Sequence, residues 1–491
     1  MSLSAALNAA RSSLAANASQ TSLISRNLAG ANEALYTRKH ANIASFQGGV
    51  RIESIGRAAN PSLLSTALGA TSRAAGQEAV VGGLEKLEQT VGDPEAGRSP
   101  AALIGALRDA IQQYAAAPDN STMARAVLHG AHDVAGALRS ASGVVQQTRQ
   151  QADADMVASV GQINKLLGRL EPLNAEIVRD THTGADVTGK LDTRDKILSE
   201  LSQEIGIRVV SRGGNDIALY TDSGVTLFET TARAVSLKPT QAYGPTTQGN
   251  AVYVDGVPVV GGTTTMPIET GRLAGLATLR DGVAVTYQSQ LDEIARGLVE
   301  AFAESDQSDP ATLPTIPGLF TYSGAPAMPA GGTVLPGLAA DIAVNRNADP
   351  DRGGSLARLR DGGIGNPAQP AYVHNTSGAS AFSGRLQEMV DALDATRAFD
   401  PAARADESAG VIAFAASCVS WLEASRQSAS TDLDYRQTLL ARSTEALSNA
   451  TGVNIDEEMT IMLELERSYQ ASAKLISTVD SLFATLLQAV G

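Results

Sequence analysis

Val453-Asn-Ile-Asp-Glu-Glu-Met459 opens a segment that runs through Ser468-Tyr-Gln-Ala-Ser-Ala-Lys474 and Ile476-Ser-Thr-Val-Asp-Ser-Leu-Phe483 almost to the last residue. Its apolar positions are Ile455, Met459, Met462, Tyr469, Ala473, Ile476, Val479, Phe483, Leu486 and Val490. Steps of three and four dominate, which lays one stripe along a helix. Asn454 suits the N-cap, and Glu457 falls at the third helical position, as in a capping box. Asp456, Glu457 and Glu458 suit the positive end of the helix dipole. About 35 residues at ~1.5 Å each span roughly 50 Å. Ordinary globular helices are shorter than this.

The other end of the chain carries a weaker copy of the pattern. Leu3, Leu7, Ala10, Leu14, Ile24 and Leu28 form a seam, with Asn17 and Thr21 in its middle and Gly30 as its stop. Neither terminus can bury its stripe alone. The two helices are therefore expected to pair as an inner coiled-coil layer and to stack on copies of the same chain. The expected assembly contacts are Leu3, Leu7, Leu14, Ile24, Leu28, Met459, Met462, Tyr469, Ile476, Val479, Phe483 and Leu486. A long helix inside a globular α-domain fits the periodicity equally well.

The wording of the two ends separates these readings. Asn27-Leu-Ala-Gly-Ala-Asn-Glu-Ala-Leu-Tyr-Thr-Arg38 resembles the motif that follows the first helix in flagellar axial proteins, the family of rod, hook and hook-associated subunits. The C-terminal strings are similar to the hook-associated branch of that family, at the first junction between hook and filament. Three internal stretches share the likeness: Ile163-Asn-Lys-Leu-Leu through Leu173-Asn-Ala-Glu-Ile177, Leu191-Asp-Thr-Arg-Asp-Lys-Ile-Leu-Ser-Glu-Leu-Ser202, and Gly271-Arg-Leu-Ala-Gly-Leu through Leu291-Asp-Glu-Ile-Ala295. The likeness fades between about 306 and 374. Gly30 stands where the family usually has Asn, Leu35 where it usually has Gly, and Cys418 is atypical. Leu35 strains any turn that needs positive φ.

The resemblance implies a non-enzymatic structural subunit built from radially ordered domains. It implies copies of itself in a ring, hook subunits, and a second junction protein and filament side as partners. It also implies a cytosolic export chaperone on the C-terminal helix. Such proteins leave through the flagellar type III export apparatus without a cleaved signal and end outside the cell. A hook or rod subunit is the nearest alternative. A secreted enzyme carried on axial-type termini is the alternative of another class.

Between the ends the expected order is helix, strand, helix. The fold class is mainly α with an inserted β-rich outer domain. Residues 1–55 and 441–491 form the terminal assembly layer. Residues 56–205, 271–305 and 376–440 form a helical middle domain, and 206–270 with 306–375 a β-rich or loop-rich outer insertion. Val145, Ala152, Met156, Val160, Ile163, Leu167 and Leu170 are spaced as a helix that Pro172 should kink or break. Gly92-Asp-Pro94, Ser99-Pro100 and Ala117-Pro-Asp-Asn120 read as loops. Ile207–Ser211, Ile217–Thr221, Val225–Glu229, Val235–Leu237 and Ala251–Gly256 read as short strands. Helical spacing returns over 273–303 and again from Ala381 to Ser448, with a break at Asp400-Pro401. An insertion joined to the body through surface loops is expected to be replaceable by a linker.

Composition narrows the function. A chain of 491 residues suggests about three domains. A net charge of −14 argues against nucleic acid, whose phosphates need clustered Lys and Arg. One Cys rules out an intrachain disulfide and a cysteine zinc site; Cys418 reads as a small buried core residue. No run of 18 apolar residues suggests a membrane span, and no Sec-type signal is evident. His129 and His132 lie i, i+3 on a helix, but two ligands do not make a zinc site. No catalytic motif or cofactor fingerprint is present. No cofactor, metal or catalytic residue is expected.

Overall fold

The structure is a computed structural model that describes residues 3–46, 49–91, 99–262 and 264–490. The Gly92-Asp-Pro94 loop expected from the sequence lies outside the described residues. The chain begins with α1 (Leu3–Gly30), a hairpin of β1 (Lys39–Phe46) and β2 (Gly49–Arg57), then α2 (Pro61–Glu88) and α3 (Pro100–Ala116). A long α4 (Ser121–Thr183) leads to α5 (Thr188–Glu204). Six short strands follow: β3 (Ile207–Ser211), β4 (Ile217–Thr221), β5 (Thr226–Phe228), β6 (Val235–Leu237), β7 (Val252–Val254) and β8 (Val257–Val260). They form two antiparallel sheets, β3-β4-β5 and β6-β7-β8. Then come α6 (Arg272–Thr278), a π-turn at Leu279–Val283, and α7 (Ala284–Ala301). The next stretch holds β9 (Phe320–Thr321), α8 (Leu338–Asp341), β10 (Ala343–Val344) and α9 (Ala357–Asp361). The chain closes with α10 (Gly384–Asp394), β11 (Arg397–Ala398), β12 (Ser408–Ala409), α11 (Val411–Thr451) and α12 (Ile455–Val490). The protein is mainly helical, with long terminal helices and a small β-containing region between α5 and α6.

Three features depart from the sequence reading. First, α4 runs unbroken through Pro172. Proline inside a helix costs about 3 kcal/mol. Here Leu170 and Ile177 are fully buried and Asn174 nearly so, and the packing of this stretch outweighs that penalty. Asn174 also donates to Asp216 at 2.7 Å, anchoring the turn after β3. Second, the terminal layer is not all helix. Strands β1 and β2 pair antiparallel and lie along α1. Third, 306–375 is loop-rich and not β-rich: two-residue strands and a few short helical turns are joined by irregular segments.

The β-containing region and the loop-rich stretch share one hydrophobic core with the helices. That core runs from Leu68 on α2 to Ala429 on α11 and includes Leu219, Leu227, Phe228, Val252, Val254 and Val259. Polar ties reinforce it. Arg280, fully buried, donates to Asp153 on α4 at 2.6 Å and to the Asn250 carbonyl at 3.0 Å. Asp153 also accepts from the Thr240 N–H and the Tyr243 hydroxyl, each at 2.9 Å. Arg149 donates to the carbonyls of Gly244 and Thr247 at 3.2 and 2.6 Å. The loop between β6 and β7 is therefore held by three charged side chains from α4 and the π-turn. Further along, Asp292 on α7 accepts from the N–H groups of Gly337 and Ala339, and Glu304 from those of Ile364 and Gly365. Helix α2 meets α6 backbone to backbone: a Cβ at Gly275 would lie 2.0 Å from the Gly76 carbonyl oxygen. Only glycine permits that approach.

Candidate assembly surface

The N-terminal motif is a polar knot. Asn27, 1% exposed at the end of α1, donates to the Lys39 carbonyl at 2.9 Å and to Glu458 Oε2 at 3.0 Å. Its Oδ1 accepts from the Lys39 N–H at 3.0 Å and the Tyr36 hydroxyl at 3.2 Å. One amide side chain thus ties α1, the loop after it, β1 and the first turn of α12. Arg38 completes the tie: its Nε donates to Glu458 Oε1 at 2.6 Å, its terminal nitrogen pairs with Glu457 at 3.2 Å, and its backbone N–H donates to the Thr451 carbonyl at 2.8 Å. Asn454 caps α12 as the sequence implies, accepting from the N–H groups of Asp456 and Glu457 at 3.0 and 3.3 Å. The Glu457 side chain goes to Arg38.

The same loop docks on α5. Asp192 accepts from Thr37 at 2.6 Å, Lys39 at 2.9 Å and Arg57 at 3.2 Å, and Arg57 also reaches Asp195 at 2.6 Å. Lys39 lies over the Tyr36 ring, 3.7 Å from its centre. Burial pushes the Asp195 carboxyl up against the pull of Arg57. Leu35 takes a left-handed backbone at φ 63°, the strained geometry its sequence suggests. Gly30 closes the loop, because a Cβ there would lie 2.4 Å from a ring carbon of Tyr36. Gly30→Ala is expected to displace Tyr36 from Asn27 and destabilise the knot by about 1–3 kcal/mol. Hydrogen exchange at the end of α1 and the start of α12 should speed up. Unchanged protection there would contradict this account.

The two terminal helices pair antiparallel in one register. Asn27 meets Glu458, Asn17 meets Ser468 at 3.0 Å, and Ser13 meets Ser472 at 3.2 Å. Ten residues then four separate the members on each helix, in opposite directions. Polar pairs in a thin apolar seam fix register, as buried polar residues do in coiled coils.

This register splits the expected contacts into two faces. Ile24 and Val479 are buried within the chain, and Met462, Ile476 and Phe483 are half-buried. Leu3, Leu7, Leu14 and Leu28 are also half-buried. Met459, Tyr469 and Leu486 face outward, each more than two-fifths exposed. Ile24 and Val479 thus serve the intrachain pair, which a period count alone does not distinguish from contact with another copy. Four residues outside the expected stripe, Leu463, Leu475, Leu482 and Leu487, are 51–72% exposed. They lie one or more positions off the α12 seam. An excess of leucine outside the a/d positions was the signal available in the sequence. The hairpin adds Ile43 and Phe46, also exposed. Leu475 and Leu482, seven residues apart, share one side of α12, while Leu463 and Leu487 lie on others, so exposed apolar side chains surround the helix beyond its α1 seam.

Nothing comparable marks a catalytic centre. Among the described residues no group of three or more His, Cys, Asp or Glu is placed to hold a metal ion, and no helix is long and apolar enough to cross a membrane. His132 approaches Asp349 at 3.4 Å. Cys418 is buried, and burial pushes its thiol well up.

Comparison with known proteins places these features. Residues 84–309 match the family model described as the flagellar hook-associated protein FlgK helical domain. Residues 446–489 match that of the flagellar basal body rod FlgEFG protein C-terminal region. The chain is similar to the flagellar axial proteins of the hook-associated protein 1 family. It is 24% identical over 319 residues to flagellar hook-associated protein 1 of Salmonella typhimurium, covering 61% of this chain and 56% of that protein. The Escherichia coli K12 protein of the same name gives the same figures. That of Bacillus subtilis is 22% identical over 365 residues, covering 69% of this chain and 66% of the relative. The chain therefore spans little more than half the length of the Salmonella and Escherichia relatives. The solved FlgK hook junction protein from Burkholderia pseudomallei overlays 53% of this chain and 47% of its own, at a TM-score of 0.42 and 20% identity. In this chain the C-terminal match covers α12, and the helical-domain match covers the last turn of α2 through the end of α7.

Proposed function

We propose that this chain is a structural subunit of the bacterial flagellum that joins hook to filament by self-assembly through its paired terminal helices. The observation that carries the proposal is the set of exposed leucines along α12, on a helix held in register by Asn17, Asn27 and Glu458. A helix anchored this firmly, yet with so many leucines open to solvent, is suited to bury them against neighbours. The expected neighbours are copies of the chain in a ring, hook subunits on one side, and a second junction protein and the filament on the other. Before export without a cleaved signal, a cytosolic chaperone would cover the same leucines, since a helix-in-groove partner masks such side chains. The working location is then outside the cell. Nothing in the described surface favours the enzyme reading.

The test uses isolated hooks. The purified chain is expected to add to hook ends. A variant with Leu463→Glu, Leu475→Glu and Leu482→Glu is expected to keep its helix content and its α1–α12 pairing, and to add at least tenfold less, because charges cannot be buried unpaired at an interface. If that variant adds as well as the parent, the outward face is not the assembly surface.

A further inference from the structure

A cavity of about 130 Å³ lies where the terminal layer meets the body. Its walls include Leu64 and Leu68 of α2, Leu198 of α5, Leu447 of α11, and the strained Leu35. Arg57, Arg194 and Asp195 bring charge to this leucine cage, with Thr37, Asn60 and Thr451 as further polar lining. Arg194 lines the cavity and is only 7% exposed. It donates to two neutral oxygens, Asn174 Oδ1 and the Asn215 carbonyl, and its Nε is buried with no partner. The neighbouring Asp195, which also lines the cavity, is engaged by Arg57 at 2.6 Å. A buried guanidinium with a free N–H and no carboxylate bonded to it is incompletely compensated. Burial pulls it down to about 10, in keeping with that shortfall.

We propose that this cavity is a binding site for a short aliphatic carboxylate. The carboxylate would accept from Arg194 Nε–H, and the branched alkyl body would fill the leucine cage. Size fits the class. A dry cavity of about 150 Å³ takes benzene, which has six heavy atoms; isobutyrate also has six. Charge selects the acid over an alcohol, and the leucines select a branched chain over acetate. The site is separate from the outward face of α12, so its fate does not decide the assembly reading.

The test titrates the full chain with isobutyrate, acetate and isobutanol, followed by saturation-transfer NMR on the ligand methyl signals. Isobutyrate is expected to saturate, and to bind about tenfold or more tighter than acetate, since each missing methylene in an apolar pocket weakens binding by that order. Isobutanol should also bind about tenfold more weakly, for want of the charge-assisted hydrogen bond. Arg194→Met should reverse the order of isobutyrate and isobutanol. Leu64→Phe fills the cage without touching the ion pairs and should abolish saturable binding of both. If Arg194→Met does not fold, Leu64→Phe and the three-ligand comparison on the native chain still decide. No saturable binding leaves the cavity to water and overturns the proposal. So does isobutyrate no tighter than acetate, or binding that survives Leu64→Phe.

Discussion

A chain in which residues 210–268 are replaced by a short flexible linker is expected to lose the cooperative melting of its helical body. Six of the side chains removed, Leu219, Leu227, Phe228, Val252, Val254 and Val259, are at most 1% exposed and belong to the same core as α2, α4 and α11. At ~1.5–3 kcal/mol each their burial contributes about 9–18 kcal/mol. That matches the whole net stability of a typical domain, about 5–15 kcal/mol. The replacement also strips Asp153 of Thr240 and Tyr243, and Arg149 of two carbonyl acceptors. Sequence reasoning, which sees short strands between helices, predicts the opposite. Urea unfolding followed by circular dichroism distinguishes the two. A cooperative transition at an unchanged midpoint would restore the view of a dispensable insertion.

The second large effect is at the knot. Glu458→Ala leaves Arg38 Nε and Asn27 Nδ2 without their carboxylate and should weaken the anchoring of α12 by about 3 kcal/mol. This is the lower end for a buried pair, because Arg38 is partly exposed. Amide exchange should rise along both terminal helices while the melting of the body stays in place. Glu458→Gln keeps the shape and an acceptor for Arg38, and should lose less. Equal protection of α12 in the parent and Glu458→Ala would mean that the seam alone holds the helix.

Much of this was legible in the sequence. Strong 3.6-residue periods and a capping Asn mark α12, Gly-containing turns bound strands β3 and β4, and β6 is bounded by its own short apolar run before Lys238-Pro239. The pair of β1 and β2 went unread although Val50, Ile52 and Ile55 fall after Gly48-Gly49; its alternation is diluted by the bulge at Asn42/Ile43. Pro172 misled because a local rule was applied where tertiary packing decides. The roles of Asn27, Arg38 and Glu458 depend on residues 420 or more positions apart, which no local pattern reveals. Whether Ile24 faces an internal or an external partner is likewise a matter of register, and register appears only once Asn17 and Ser468 are seen together.

Helix α4 runs 63 residues, about 95 Å at ~1.5 Å per residue. Just beyond its C-terminus, Asp186 pairs with Arg26 of α1 at 3.4 Å, and its flanks carry α3, α5, α7 and both small sheets. Its backbone hydrogen bonds run along the axis and resist stretching. Twist imposed on the terminal pair therefore enters the body at one end of a single stiff shaft and is delivered along its whole length at once. Under the proposed junction role, α4 would be the part that carries torque from the terminal pair into the body.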